Sequence, residues 1–357
     1  MCSSGSTAAL CGQTCPPGLR HRSSPRRPNL AAQCTANRFE PAHRHSSSVT
    51  ITESKMKEVI GFIGVGSIGG PMASRLLDAG HDVVGYDTRA DALDALQQKG
   101  LKVASSPREV ADAAQIVLVS LPTPDVVRQV ASGPDGIVEG RAVRIYVDLS
   151  TTGPKTAEEI AKRLAEHDIT AVDAPVTGGV AGAALGKLTL MAAGPAGAIA
   201  RVSPVLATLG QVEVVGDKAG MGQSLKLINN ALSATHMAIT AEAMVLGVKA
   251  GLDPEIILNV LNKGSGRNTS TEERFPKFVL TRTFDNGFAN ALMRKDLKLY
   301  MEMAENFQVP LWVATAVDRL WMQTVVEIGP NENTTTIVKT IEKWAGVEVR
   351  GKSARPV

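Results

Sequence analysis

Lys226 and Asn230 stand four residues apart in a stretch, Gln223 to Ala250, that holds no proline and one internal glycine, Gly247. A helix sets residues i and i+4 on one face, so the amine and the amide share a side. A lysine in an otherwise apolar helix is costly to bury unless it is used or paired. Burial also lowers its pKa toward the range useful for moving protons. The plainer alternative is a lysine at a helix start whose ammonium reaches back to water along its own methylenes. A second constellation is Asp173-Ala174-Pro175-Val176-Thr177-Gly178-Gly179. The Thr177 hydroxyl beside the N–H groups of Gly178 and Gly179 suits an anion such as a carboxylate, although an ordinary Gly-Gly turn has the same letters. A third is Arg294-Lys295-Asp296-Leu297-Lys298-Leu299, where several charges on one helix read first as a solvated face.

The fourth constellation is a turn. The apolar run Val59–Ile63 ends in Gly64-Val65-Gly66-Ser67-Ile68-Gly69, and Pro71 to Leu77 follows as a helix start. Gly64 permits a tight turn, Gly66 lets backbone approach a pyrophosphate, and Gly69 lets helix and strand pack closely. The N–H groups at the helix start then face the phosphates. Asp87 closes the next apolar strand, Asp82 to Tyr86, near the spacing of about 20 residues expected for an acid that binds a ribose. Asp87 also suits an N-cap for a helix beginning near Ala90. At the ribose it would repel a 2′-phosphate and favour NAD over NADP, with Arg89 as the residue that could swing toward such a phosphate.

These residues need a scaffold, and the chain alternates strand and helix from Met56 onward. Helix Ala90–Lys99 and a short strand at Leu101–Ala104 are followed by Ile116–Ser120, Ile145–Ser150 and Thr170–Ala174 as further strands. Fully apolar strands separated by helices indicate a parallel sheet covered on both faces. Ligands collect beyond the carboxyl ends of such strands. That places Gly64–Gly69, Leu121–Pro122, Ser150–Thr152 and Pro175–Gly179 around one crevice. After Gly220 the pattern is helical throughout, with stretches at Pro254–Asn262, Glu272–Leu280, Ala291–Asn306, Pro310–Glu327 and Thr335–Trp344. The expected division is a tail at 1–55, a nucleotide-binding unit at 56–219 and a helical unit at 220–350.

The chain has 357 residues, 44% of them hydrophobic and 20% charged, which suits two domains with real cores. Its net charge of +3 is uneven, because residues 1–55 hold seven Lys/Arg and two acids, leaving 31 basic and 33 acidic groups elsewhere. A body near neutrality argues against nucleic-acid binding. All four cysteines, Cys2, Cys11, Cys15 and Cys34, lie in the tail, so disulfide, thiol and cysteine–metal chemistry is not expected of the body. No ligand spacing supports a metal. The tail is rich in Ser, Pro and Arg and lacks an apolar core, as in an organelle transit peptide, although a disordered extension reads the same way. The helical stretch from Gln223 carries Lys226, His236, Glu242 and Lys249, so it reads as a helix buried between domains or subunits rather than a membrane span.

Four motifs in order carry a resemblance: Gly-Phe-Ile-Gly-x-Gly-x-x-Gly-x-Pro-Met-Ala from Gly61, Asp-Ala-Pro-Val-Thr-Gly-Gly from Asp173, Gly-x-Gly-x-x-x-Lys-x-x-Asn-Asn from Gly220, and Lys295-Asp296-Leu297. Over about residues 59–346 the chain resembles the β-hydroxyacid dehydrogenases, the family of 3-hydroxyisobutyrate dehydrogenase. The resemblance implies a Rossmann-type doubly wound parallel sheet followed by an all-helical C-terminal domain that completes the active site and the dimer. It implies reversible, NAD-dependent oxidation of a small 3-hydroxy acid, with NADP the less expected cofactor. Lys226 would be the catalytic acid–base group. Thr177, Gly178, Gly179, Asn230 and Lys295 would bind substrate, with Lys295 also near the nicotinamide. Gly64, Gly66, Ser67, Ile68, Gly69, Asp87, Leu121, Pro122 and Thr151 would line the cofactor. L-threonate dehydrogenase and tartronate semialdehyde (glycerate) reductase activities are alternatives within the family, and a non-catalytic assembly module is the alternative outside it. The expected assembly is a homodimer or homotetramer, and the tail points to mitochondria, with cytoplasm or plastid as alternatives. Thr177 stands where serine is commoner: the hydroxyl keeps the chemistry and the methyl narrows the pocket. The segment from Ser265-Gly266-Arg267-Asn268 through Phe284-Asp285-Asn286-Gly287-Phe288 is expected to shape the substrate end of that pocket.

Overall fold

The computed structural model describes residues 58–352 and residue 354. The expectations for the tail, including all four cysteines, lie outside these residues.

Strand β1 (Val59–Ile63) alternates cleanly between two cores: Ile60 and Phe62 face one side of the sheet and Ile63 the other. Helix α1 (Gly69–Asp78), β2 (Asp82–Tyr86), α2 (Ala90–Gln98), β3 (Lys102–Val103) and α3 (Pro107–Ala113) follow. In β4 (Ile116–Val119) Ile116 and Leu118 join the first core, Val117 and Val119 the second. A strand buried on both faces must be apolar at every position, which explains the unbroken run in the sequence. Next come α4 (Pro124–Ser132), β5 (Ile145–Asp148), α5 (Pro154–Ala165) and β6 (Thr170–Asp173). Local chemistry starts these helices. Ser106 and Thr123 each accept a bond from a first-turn N–H, from Glu109 and Val126, and each precedes a proline at the first helical position.

The strands pair in the order β3-β2-β1-β4-β5-β6, all parallel. The order reverses between β1 and β4, so the turn after β1 and the loop after β4 flank the crevice where dinucleotides bind in such sheets. The sheet then departs from the all-parallel expectation. It continues through β7 (Val176–Thr177), α6 (Gly179–Leu185), β8 (Leu188–Ala193), α7 (Ala196–Leu206) and β9 (Gly210–Gly216). Strand β8 runs antiparallel to β6 and β7 and parallel to β9. The reason is connection length: the short α6 leaves β8 no crossover to the far end of the sheet, so it returns alongside β7.

Helix α8 (Met221–Lys249) is the longest element and packs against the sheet at its start and against helices thereafter. It is long and apolar enough to cross a membrane by composition, yet its buried stripe from Ala231 to Val245 forms the core of the helical half. Around it lie α9 (Pro254–Leu261), a π-helical segment (Ser270–Val279), α10 (Asn290–Asn306), α11 (Trp312–Glu327) and α12 (Ile337–Ala345). The expected helix at Glu272–Leu280 is thus a π-helix with Pro276 inside it. Proline removes an i→i−4 bond, and a wider turn tolerates that loss.

Candidate active site

The glycine turn has the shape of a phosphate cradle. Gly64 has φ +88°, and a Cβ there would meet the Ser120 carbonyl oxygen at 2.3 Å. A Cβ on Gly69 would stand 1.8 Å from the Gly64 carbonyl oxygen, so helix and turn touch backbone to backbone. A Cβ on Gly66, by contrast, would meet only an Arg89 nitrogen at 3.5 Å, which leaves that face open. Helix α1 has no side-chain cap, Ile68 standing at the cap position, so its first N–H groups remain for an anion. These residues fit a dinucleotide pyrophosphate.

Asp87 is tied to the same turn. Its Oδ2 accepts the Val65 N–H at 2.8 Å and its Oδ1 the Arg89 N–H at 2.9 Å. It does not cap α2, whose cap position is Arg89. The carboxylate therefore stands fixed at the carboxyl end of β2 with lone pairs left for ribose hydroxyls. The Arg89 guanidinium, largely exposed, lies 3.9 Å from it. Leu121 joins the group: a Cβ on Gly64 would stand 2.8 Å from its side chain, and its N–H donates to Ser150 Oγ at 2.9 Å. Ser67 and Pro122 are exposed and Ile68 is partly covered.

The loop after β5 is held from two sides. Asp148 ends the strand and accepts the Ser150 N–H at 2.9 Å and the Thr152 hydroxyl at 3.2 Å. Burial raises this carboxyl above the usual range, against those bonds and the Lys295 charge. Gln223, in the first turn of α8 and fully buried, completes the hold. Its Oε1 accepts the N–H of Thr152 at 2.9 Å and of Gly153 at 3.3 Å, while its Nε2 donates to the Ser150 carbonyl at 2.9 Å. Sequence reasoning missed Gln223. The signal was the same one that marked Lys226, a polar side chain in an apolar helix, three residues earlier.

Asp173 does for α8 what Asp148 does for the loop. The helix begins on Gly220, which has no side chain to cap it. Asp173 instead accepts the Gly220 N–H and the Gln223 N–H, each at 3.0 Å. Burial pushes its carboxyl up to about 6 in spite of the two bonds. The start of α8, and with it Lys226 one turn on, is thereby pinned to the carboxyl end of β6.

Lys226 is 7% exposed. It makes no hydrogen bond or ion pair among the described residues. Burial lowers its pKa to about 8, the Asp296 carboxylate opposing that shift and the Lys295 ammonium adding to it. Asn230 donates from Nδ2 to Asp296 Oδ2 at 2.6 Å, and its own oxygen accepts from Asn229 at 3.1 Å. Asp296 in turn pairs with Lys295, Nζ to Oδ1 3.0 Å, and Lys295 donates to the Thr151 carbonyl at 2.5 Å. The expectation of a solvated face for Lys295 and Asp296 is corrected here. α10 lays that turn against α8, leaving Asp296 3% exposed. Asp296, named in that run but assigned no role from sequence, is the carboxylate that opposes the lowering of the Lys226 pKa.

Thr177 ends β7, and Gly178 and Gly179 lead into α6. Both glycines are exposed with positive φ, and no hydrogen bond joins the three to Lys226 among the described residues. The Phe284–Phe288 segment lies nearby: a Cβ on Gly287 would stand 3.6 Å from the side chain of Val180, the residue after Gly179.

Two family models match the chain, the NAD-binding domain of 6-phosphogluconate dehydrogenase over residues 59–218 and the NAD-binding domain of NADP-dependent 3-hydroxyisobutyrate dehydrogenase over 220–341. A 2-(hydroxymethyl)glutarate dehydrogenase of Eubacterium barkeri is 36% identical over 82% of this chain and 97% of its own. The mitochondrial 3-hydroxyisobutyrate dehydrogenase of Rattus norvegicus is 34% identical over 85% and 89% respectively. Among solved structures, a 3-hydroxyisobutyrate dehydrogenase of Mycobacterium tuberculosis with L-serine superposes with TM-score 0.73 at 29% identity, over 80% of this chain and 99% of that one. With a dinucleotide cradle beside a buried lysine, and with relatives of this closeness, the chain belongs to the β-hydroxyacid dehydrogenase family as a 3-hydroxyisobutyrate dehydrogenase-like, NAD(P)-dependent 3-hydroxyacid dehydrogenase.

Proposed function

We propose that this chain oxidises a short, C2-substituted 3-hydroxy acid of the 3-hydroxyisobutyrate type, with Lys226 as acid–base group. The observation that carries the reading is Lys226 itself, buried, unbonded and brought by its surroundings to a pKa of about 8. A bound nicotinamide supplies the hydride acceptor. Neutral Lys226 takes the proton of the C3 hydroxyl, and in the reverse direction its ammonium returns a proton to the carbonyl oxygen. Thr177 and the N–H groups of Gly178 and Gly179 hold the substrate carboxylate. Asn230 orients the hydroxyl end, and Lys295 fixes the Thr151 carbonyl beside the nicotinamide's place. The two relatives' substrates, 3-hydroxyisobutyrate and 2-(hydroxymethyl)glutarate, share the hydroxymethyl and carboxylate groups and differ only in the C2 substituent. Steady-state oxidation of these two acids, L-threonate and glycerate tests the reading. Turnover of neither C2-substituted acid would sink it, and a clear preference for L-threonate would move the substrate to the polyol acids.

NAD is the preferred cofactor in this reading, because Asp87 is fixed where a 2′-phosphate would meet its charge. The expected result is a kcat/KM at least about tenfold higher with NAD than with NADP; equal values overturn it. The working form is a homodimer or homotetramer. An apolar stripe on α8, Leu225, Ile228, Leu232, Ile239 and Leu246, stays exposed in the single chain, and light scattering of the purified protein checks for a monomer. No nucleic-acid or membrane partner is part of this reading. Mitochondria are the proposed destination, supported by the composition of residues 1–55 and by mitochondrial relatives. Fusing residues 1–55 to a fluorescent protein tests this, a cytosolic signal being the contrary result.

A further inference from the structure

We infer that Arg274 forms an anion subsite at the far end of the substrate cleft, fitted to a second carboxylate on the acid being oxidised. The inference rests on the reading of Lys226 as the reacting end. Lys226, Ser233 and Thr240 are seven residues apart along α8 and share one line on its surface, drifting by only about 20° per step. The segment Asn268–Arg274 lies beside that line. Asn268 Nδ2 donates to Thr240 Oγ1 at 3.3 Å, and Arg274 Nη2 donates to Ser233 Oγ at 2.7 Å. The segment therefore runs back along α8 toward Lys226, and Arg274 makes its hydrogen bond nearest that residue. The next two turns of α8 carry Asn229 and Asn230, then Lys226.

The Arg274 guanidinium is not satisfied by the protein. Its Nη1 is enclosed and has no hydrogen-bond partner. The adjacent acid, Glu273, pairs instead with Lys277 at 3.7 Å. Burial lowers the guanidinium's pKa, with only the Glu273 charge opposing. An enclosed cation without a counter-ion is costly, and a planar fork of N–H donors matches a carboxylate above other anions of this size. The carboxylate bound by the Thr177 turn is not that anion. Two helical turns separate Ser233 from Lys226, about 10 Å of rise, and in a 3-hydroxy acid only one carbon stands between carbinol and carboxylate. A second carboxylate carried on an ethylene arm at C2 closes most of the gap. The chemical class is thus a dicarboxylic 3-hydroxy acid.

Wild type, Arg274→Gln and Arg274→Lys are to be compared on 3-hydroxyisobutyrate and 2-(hydroxymethyl)glutarate. The wild type should favour the diacid by at least about tenfold in kcat/KM. In Arg274→Gln the diacid-to-monoacid ratio should fall by about 10- to 100-fold, through KM, and Arg274→Lys should recover part of it. A measurement without variants guards against misfolding: glutarate should inhibit the wild type at least about tenfold more tightly than butyrate. Equal inhibition by the two, or a ratio unmoved by Arg274→Gln, overturns the subsite. Turnover of neither acid overturns the reading of Lys226 as well, whereas good turnover of the monoacid with no diacid preference overturns the subsite alone.

Discussion

Replacing Lys226 by alanine is expected to lower kcat by about 10²- to 10⁴-fold, the usual loss when a positioned proton-transfer group is removed. Affinity for NAD should barely change, since the glycine turn and Asp87 belong to the sheet. Lys226→Arg should not rescue activity, because a guanidinium stays protonated near neutral pH. The pH profile gives an independent check. Burial has lowered the lysine to about 8, so its neutral, proton-accepting form gains population as pH rises through 8. Oxidation kcat/KM should therefore climb with pH and level off above that value, and carbonyl reduction should fall over the same range. Asp296 holds this pKa up, so Asp296→Asn should move the oxidation limb to lower pH. A limb that stays in place in Asp296→Asn, or near-normal turnover in Lys226→Ala, would show that another group moves the proton.

Gln223→Leu is expected to be the most destabilising single change in the site. The leucine fills nearly the same volume but abandons the N–H groups of Thr152 and Gly153 and the Ser150 carbonyl. Each of the three buried groups left unpaired costs about 1–3 kcal/mol, so the total is about 3–9 kcal/mol. For a chain of this size that lowers Tm by about 5 °C or more. The effect should reach the cofactor too, because the freed loop includes Thr151, and KM for NAD should rise. Gln223→Ala would add a cavity, whereas Gln223→Leu isolates the hydrogen bonds. A Tm within about 2 °C of wild type would mean the loop is held by Asp148 and Lys295 alone.

Several parts of the molecule were legible as letters. The runs at Val59–Ile63, Ile116–Val119 and 145–147 had to be apolar throughout to lie between two layers, and that pattern predicts a doubly covered sheet. The turn Gly64–Gly69 was legible because contacts of 1.8 and 2.3 Å leave no room for any side chain. Strands β7 to β9 were not read. Their pairing is antiparallel at β6 and β7, set by the short return through α6 rather than by a local strand-and-helix rhythm.

By itself the sequence determined the residue types that do chemistry: a glycine cradle, an acid at the end of the second strand, and a lysine four residues before an asparagine in an apolar helix. Those depend on local spacing and steric limits, which neighbouring residues carry. Only the tertiary structure decided the electrostatics. Lys295 and Asp296 look like an exposed helix face until α10 packs on α8, and then one carboxylate tunes Lys226 while holding Asn230. Gln223 and Asp173 likewise show their roles only when strand ends and the start of α8 meet across fifty or more residues of chain. Burial and charge at a site are sums over groups far apart in sequence, and no local pattern contains them.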